Sequence, residues 1–256
     1  MKLLVAIPVY NCEKQINRVI SEFSDQLLSH VDEIIIIDNR SSDLTVENAQ
    51  FAASSIKLNK IKIIRNNHNY GLGGSQKIAF MYAQKKKFDY VAVLHGDNQA
   101  TTSELENLIN LANMDPELDA ILGSRFMRNS QLIGYSNQRV WGNRIINIIY
   151  SLVSLRHSSD LGSGLNLFRA AIFINQDFLQ FANDITFNID LLLNLFQLKA
   201  KIVFTPITWS ETDQVSNAKN YTVAKRALTK LILWRTGNPY REEHVADEYS
   251  YETVYP

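Results

Sequence analysis

Cysteine is almost missing from this chain: Cys12 is the one example among 256 residues. An internal disulfide is therefore excluded, and the usage fits a reducing compartment. Net charge is missing too, because Lys+Arg and Asp+Glu both number 26. With no field of one sign to attract a polyanion, nucleic acid is not an expected partner. Nor is there a run of about 18 uncharged apolar residues, the length a membrane-crossing helix needs. The opening Met1–Ile7 is apolar, but Pro8 and Asn11 arrive too soon for a secretory signal. Local bias is confined to Gly71-Leu72-Gly73-Gly74, and no internal repeat is visible.

What remains is an ordinary globular composition, 46% hydrophobic and 20% charged. A chain of this length forms one large domain or two small ones and buries roughly 70–75% of its unfolded surface. The most informative stretch is Val91-Ala92-Val93-Leu94-His95-Gly96-Asp97-Asn98-Gln99. Its apolar half suits a strand buried on both faces, and it stops abruptly at His-Gly-Asp. His95, Asp97 and Gln99 alternate, so an extended backbone projects an imidazole, a carboxylate and an amide to one side. At the carboxyl end of a central strand, that is where open α/β sheets bind ligands. A hard divalent cation bridging to substrate phosphates needs only one or two protein carboxylates there. A plain polar turn is the alternative.

Along the rest of the chain, strands and helices alternate. Leu3–Ile7 reads as the first strand and ends at Pro8-Val9-Tyr10-Asn11, with Asn11 placed to cap a helix beginning near Glu13. Ile16, Val19, Ile20, Phe23, Leu27 and Leu28 recur at the spacing of one helix. Glu33–Ile37 is the second strand and delivers Asp38 and Asn39, which suit a nucleobase or ribose, ahead of Ser42 and Asp43, which suit capping. Ile61–Ile64 precedes the glycine-rich turn at Gly71, a close-packed turn or a phosphate cradle. Ala120–Leu122 leads into Gly123-Ser124-Arg125, where Arg125 suits either a pyrophosphate clamp or a surface ion pair. Short alternating units of this kind predict a mostly parallel sheet with helices on both faces.

The second half carries longer helices over Ser136–Leu155, Ile185–Leu198 and Tyr221–Arg235, with strands after Asp160 and over Lys201–Pro206. Trp209–Lys219 is polar and irregular, a candidate lid. Lys225, Arg226 and Lys230 form a basic face opposite Val223, Ala227, Leu228 and Leu231, suited to a membrane surface or to packing on the domain. The tail after Gly237 has no periodicity and reads as irregular.

Several of these stretches together resemble the family-two glycosyltransferases of GT-A fold, most closely the dolichol-phosphate-mannose-synthase-like branch. Ile7-Pro8-Val9-Tyr10-Asn11 is similar to that family's first-strand motif, and Ile37 through Thr45 to its "DDGSxDxT" segment, with Asn39 for the second aspartate. Asn69-Tyr70-Gly71-Leu72-Gly73 resembles "NxGLG", Gly123-Ser124-Arg125 resembles "GSR", and His95 through Gln99 falls on the DxDxQ metal motif. Asp160 through Phe168 is similar to "DxxSGxxLF", and Asp190 stands where the family often has an acid.

The resemblance implies one GT-A domain over residues 1–236, with a nucleotide-sugar half (1–125), an acceptor half (126–236) and a tail (237–256). It implies a nucleotide-diphospho-sugar donor bound by Pro8, Tyr10, Asp38, Asn39 and Gly71, with Arg125 and Lys219 on its pyrophosphate. Mg²⁺ or Mn²⁺ would be held by Asp97 with Gln99 and His95, the nitrogen of His95 suiting Mn²⁺ better. The reaction implied inverts the anomeric centre, with Asp160 as base for a hydroxyl acceptor or as positioner for a polyprenyl phosphate. The expected setting is cytoplasmic, in peripheral contact with the inner face of a membrane, with a lipid-linked or glycan acceptor. Two alternatives remain open: a non-catalytic sugar-nucleotide-binding scaffold, and a sugar-1-phosphate nucleotidyltransferase. The second would carry an early glycine-rich loop, which Pro8–Ile16 lacks.

Overall fold

The computed structural model describes residues 1–55, 60–213, 220–239 and 241–256. Among these, strands β1 (Leu3–Val9), β2 (Glu33–Asp38), β3 (Ile61–Asn66) and β4 (Tyr90–Leu94) come from the first half of the chain. They alternate with helices α1 (Ile16–Ser21), α2 (Asp25–His30), α3 (Thr45–Ser55) and α4 (Gly71–Lys85). Helix α5 (Leu105–Met114), β5 (Ala120–Ser124), β6 (Gln131–Ile133), α6 (Asn137–Ser154) and β7 (Leu165–Arg169) follow. The chain closes with α7 (Phe187–Gln197), β8 (Ile202–Pro206), β9 (Thr208–Ser210), α8 (Asn220–Arg235) and β10 (Tyr251–Tyr255).

Strands from both halves share one sheet, in the order β10-β3-β2-β1-β4-β7-β5-β8. Its apolar strands are buried on both faces, as their unbroken Val/Ile/Leu runs require. Alternation divides the core in two: Leu4, Ala6, Ile35 and Ile37 face α4 and α7, whereas Leu3, Val5, Ile34 and Ile36 face α1, α2 and α5. The mostly parallel expectation holds, with two antiparallel insertions. Strand β7 runs antiparallel between β4 and β5, and β10 runs antiparallel to β3. The order reverses at β1, whose neighbours β2 and β4 lead away to opposite sides. That reversal opens a crevice at the carboxyl ends of β1 and β4.

Three expectations are corrected here. The helix expected from Glu13 to Leu28 is two helices, because Ser24 starts a second one by accepting from Leu27 N at 3.1 Å. Asn11 caps neither: its Oδ1 accepts from Ser42 N at 2.9 Å, welding the end of β1 to the loop after β2. The tail after Gly237 is not irregular throughout, since Tyr251–Tyr255 pairs with β3 and covers its outer edge. A strand of alternating tyrosine, threonine and valine carries little apolar signal when half of it faces water.

A buried lysine ties that tail down. Lys77, fully buried on α4, donates to Phe181 O (2.6 Å), Asn183 Oδ1 (2.8 Å) and the Tyr249 hydroxyl (2.9 Å). Burial pushes its pKa down from 10.5 to about 8, against the pull of Glu242, Asp190 and Glu248. Lys77→Met is therefore expected to cost about 2–3 kcal/mol of unfolding free energy, by leaving buried acceptors unpaired. Between pH 8 and 10.5 the unfolded chain holds a proton that folded Lys77 has released, so native stability rises with pH through that window. Urea denaturation across it is expected to show the rise in the native chain and a flatter profile in Lys77→Met.

Candidate active site

Glycine at position 96 decides how closely the ends of β1 and β4 approach. A Cβ there would stand 2.3 Å from Val9 Cγ1 and 3.3 Å from Pro8 O, so only a hydrogen fits. Gly96 N donates to Pro8 O at 3.0 Å, and His95 N to Gly164 O at 2.8 Å. The turn therefore hangs between β1 on one side and β7 on the other. Asn98 takes a left-handed conformation, φ 56°, and Gln99 N returns to Asp97 Oδ1 at 3.2 Å. This leaves Asp97 half-buried, with Oδ2 accepting no hydrogen bond among the described residues.

Asp97 and its surroundings match the donor chemistry expected of a hard cation shared with phosphate. No group of three or more His, Cys, Asp or Glu able to hold a metal exists among the described residues, so an all-protein cage is not formed. One carboxylate with a free oxygen suits Mg²⁺ or Mn²⁺ completed by diphosphate and water. Burial pushes the Asp97 carboxyl up and the His95 imidazole down, each opposed by the other's charge. The His95 ring packs against Gly164, whose Cβ would meet Nδ1 at 3.0 Å, and its Nε2 is buried without a partner among the described residues. Gln99 is nearly buried, and its backbone carbonyl accepts from Ser210 N at 2.8 Å.

That last bond corrects the reading of Trp209–Lys219 as irregular at its first two residues only. Thr208–Ser210 is β9, paired with β6 and bridged to Ala100, so it lies along the Asp97 turn. The segment 214–219, including Lys219, falls outside the described residues. Trp209 is buried, and its ring stands 5.0 Å from the Arg125 guanidinium, which also lies 5.1 Å from Phe126. Beside it, Glu211 holds Arg139 of α6 through two hydrogen bonds. Trp209, Glu211 and Arg139 thus belong to the site although the sequence did not single out the last two. Arg139 and Glu211 are 72 residues apart, which no local pattern reports.

Arg125 and Asp160 meet each other before they meet any ligand. Asp160 accepts from Arg125 N (3.0 Å), Nε (2.8 Å) and Nη2 (2.8 Å), and from Gly162 N (3.1 Å). Arg125 Nη2 also reaches Gly162 O at 2.9 Å, while Nη1 donates to no described residue. Burial alone would lower the arginine's pKa; the Asp160 charge and hydrogen bonds override it and hold it above its ordinary value. Asp160 in this geometry anchors Arg125. Arg125 presents only its outer nitrogen.

The donor-side residues are used unevenly. Pro8 is buried in β1, and Tyr10 just beyond is exposed, an aromatic face at the crevice lip. Asp38 is fully buried: Oδ1 accepts from Ser41 N at 3.0 Å, and Oδ2 lies 3.0 Å from Arg65 Nε in an off-axis ion pair. Asn39 spends its amide on Asn69 Oδ1 (2.8 Å), Asn66 Nδ2 (3.0 Å) and Tyr70 N (2.8 Å). Both side chains therefore brace the neighbouring loops in this structure. Gly71, at φ 72°, packs on Asn183, whose carbonyl a Cβ would meet at 2.3 Å. The absence of a side chain is thus what lets this turn pack so closely. Asp190 lies apart from the site, in a buried ion pair with Lys230 of α8 at 2.7 Å. Of the three cations expected on the outer face of α8, Lys230 thus turns inward, and Arg226 is paired at the surface with Asp184.

Comparisons with known proteins bear on the family and the fold. The model of the family described as "Glycosyl transferase family 2" matches residues 4–175. An undecaprenyl-phosphate mannosyltransferase of Micrococcus luteus is 20% identical over 239 residues, covering 91% of this chain and 94% of the relative. An undecaprenyl-phosphate 4-deoxy-4-formamido-L-arabinose transferase of Salmonella choleraesuis is 24% identical over 242 residues, covering 94% and 69%. Glucosyl-3-phosphoglycerate synthase from Mycobacterium tuberculosis, crystallised with Mn²⁺, UDP and glucosyl-3-phosphoglycerate, superposes with a TM-score of 0.66 at 16% identity, covering 99% of this chain and 87% of that one. S. aureus TarS 1–349 gives 0.60 at 16% identity, covering 91% and 66%. These likenesses bear out the GT-A α/β fold.

The anchored arginine makes its own prediction. Asp160→Asn leaves a buried guanidinium short of its counter-charge and is expected to cost about 3–5 kcal/mol in chemical denaturation. Replacing both residues, Arg125→Leu with Asp160→Leu, is expected to recover most of that loss. A free catalytic base would instead leave stability unchanged in Asp160→Asn and lose turnover alone.

Proposed function

Because the chain belongs to glycosyl transferase family 2, we propose that it moves a sugar, with inversion, from a nucleotide-diphospho-sugar to a polyprenyl phosphate. The observation that carries this reading is Asp97: a half-buried carboxylate with one oxygen unused among the described residues, at the carboxyl end of β4 where the strand order reverses. Asp97 would hold Mg²⁺ or Mn²⁺, with the Gln99 and His95 side chains beside it. When bound, such an ion offsets charge on the departing nucleoside diphosphate. Arg125 adds to that through Nη1, held rigid by Asp160 and by the flanking rings of Phe126 and Trp209. Tyr10 offers a face for the base, while Asp38 and Asn39 keep the neighbouring loops in place.

The acceptor follows from what the site does with its carboxylates. A hydroxyl needs a base to take its proton, yet Asp160 is saturated with donors and Glu211 is paired to Arg139. A phosphate acceptor is already ionised and needs none. The names of the relatives, which are undecaprenyl-phosphate transferases, support the same choice. A glycan acceptor is the second reading, and it would require Glu211 to leave Arg139. No described helix is long and apolar enough to cross a membrane. The reading places the enzyme in the cytoplasm, in peripheral contact with the inner face of the membrane that holds its acceptor.

Asp97→Ala is expected to lower nucleoside diphosphate release by roughly a thousandfold while thermal unfolding stays near that of the native chain. Full turnover in that variant would overturn the assignment. Thermal shift against a panel of UDP-, GDP-, CMP- and dTDP-sugars, with and without Mn²⁺, is expected to pick out one nucleotide and to need the ion.

A further inference from the structure

Arg40 is an arginine where the backbone asks for glycine. It lies just beyond the last pair of β1 and β2, Val9 with Asp38, and takes a left-handed conformation, φ 65°. The family segment that Ile37–Thr45 resembles has glycine at this position. Left-handed backbone crowds any Cβ, and arginine lacks the short polar side chain through which asparagine tolerates it. Asn11 (φ 52°) and Asn98 (φ 56°) bend the neighbouring turns of the crevice in that tolerant way. Strain of this kind is kept where the side chain has a use.

Its placement is fixed from both sides. Asn39 N donates to Val9 O at 2.9 Å, Asn11 N to Ser41 Oγ at 3.0 Å, and Ser42 N to Asn11 Oδ1 at 2.9 Å. Arg40 and Tyr10 therefore emerge from one clamp, each in the middle of its own strand-end loop. Tyr10 is 49% exposed, and Arg40 is exposed beside it. The guanidinium makes no hydrogen bond or ion pair among the described residues. Acids near it in the two loops are already engaged: Asp43 accepts from Glu13 N and Thr45 N, and Glu13 from Leu44 N. Asp38 is fully buried against Ser41 N and Arg65, so the lip offers donors and an aromatic face.

The edges of the bases decide what such a pair reads. A guanidinium carries only donors, in a planar fork that fits two adjacent acceptors. Guanine presents that pair, O6 beside N7, on an edge away from its ribose. Adenine sets an amino donor beside N7, and uracil and thymine set a ring N–H beside O4. Cytosine has adjacent acceptors, but one of them, O2, is crowded by the ribose. Stacking on Tyr10 is open to every base and so adds affinity without choice. We infer that Arg40 reads the donor's nucleobase as guanine, its fork on O6 and N7 while Tyr10 stacks on the ring. The inference deepens the proposed function and rests on it for the presence of a nucleotide.

The test is calorimetric titration of the full chain, in Mn²⁺, with GDP, inosine diphosphate, 7-deaza-GDP, ADP, UDP and CDP. GDP is expected to bind roughly tenfold more tightly than ADP, UDP and CDP, the scale of one bidentate base contact. Inosine diphosphate, which keeps O6 and N7, is expected to match GDP, and 7-deaza-GDP, which lacks N7, to bind about fivefold more weakly. Arg40→Gly is expected to weaken GDP by roughly tenfold and leave UDP unchanged. Its thermal midpoint is expected at or above the native one, because glycine accepts the left-handed turn. Arg40→Ala is expected to lose the same preference at a lower midpoint than Arg40→Gly, which separates side chain from backbone. Native preference for another base, or a preference for GDP that survives Arg40→Gly, would overturn the inference and leave the proposed function standing. Equal weakening of every nucleotide in Arg40→Gly would also overturn it, by making Arg40 a phosphate contact. Failure of every nucleotide to bind the native chain would overturn the proposed function, and this inference with it.

Discussion

The close approach of β1 and β4 at Gly96 is the constraint from which the site is built. Parallel strands cannot be joined by a tight turn, so their connections must depart over one face or the other. Where departures diverge, between β1 and its two neighbours, a crevice is left at the strand ends. Any side chain at position 96 would push the turn off Val9, and the carboxylate at 97 would move with it. Strand β7, inserted antiparallel, holds the same turn from the other flank through Gly164. The site is thus suspended from two strands of opposite direction, which fixes it more firmly than a loop alone can.

Around that turn, polar side chains divide into those that reach outward and those that hold the frame. Asp38, Asn39 and Asp160 all belong to the second group, each tied to neighbouring loops or to arginine. Asp97 and Arg125 keep one atom each in reserve. The difference has an energetic origin: a buried carboxylate with no partner is too costly to survive, so a deeply placed acid is nearly always a brace. The reserve atoms lie where solvent, or a ligand, can still meet the group. Rigid braces keep the few outward-facing atoms where charge develops, without reorganisation during the reaction.

Much of this was legible from residue order and some was not. Apolar runs ending in polar turns located the strands through β5, and Asp97 was placed by its alternation with His95 and Gln99. Membership of the family likewise followed from short motifs in order, and it displaces the scaffold and nucleotidyltransferase alternatives. Direction was not legible, because Leu165–Arg169 reads the same whether it runs with or against its neighbours. Partners distant in sequence were not legible either. Arg125 and Asp160 were each noticed, but as a phosphate ligand and a base, since nothing local reports that 35 residues of chain fold back to join them. Lys225, Arg226 and Lys230 looked like an outward basic face because helical spacing gives a side and not its neighbour; Asp190 of α7 turns Lys230 in, and Asp184, ahead of α7, pairs with Arg226. Ser24 shows the smallest such failure, a cap hidden inside a continuous apolar rhythm.

The pairing of β10 with β3 sets an order of events during synthesis. Tyr70 and Ser250, bonded at the end of that pair, are 180 residues apart in sequence. Until Tyr251–Tyr255 emerges from the ribosome, β3 presents a bare row of amide and carbonyl groups on the rim of a nearly finished sheet. Such a rim is a template on which another nascent chain can add a strand. This edge of the sheet is thereby open to misassembly from the time β3 is in place until β10 arrives.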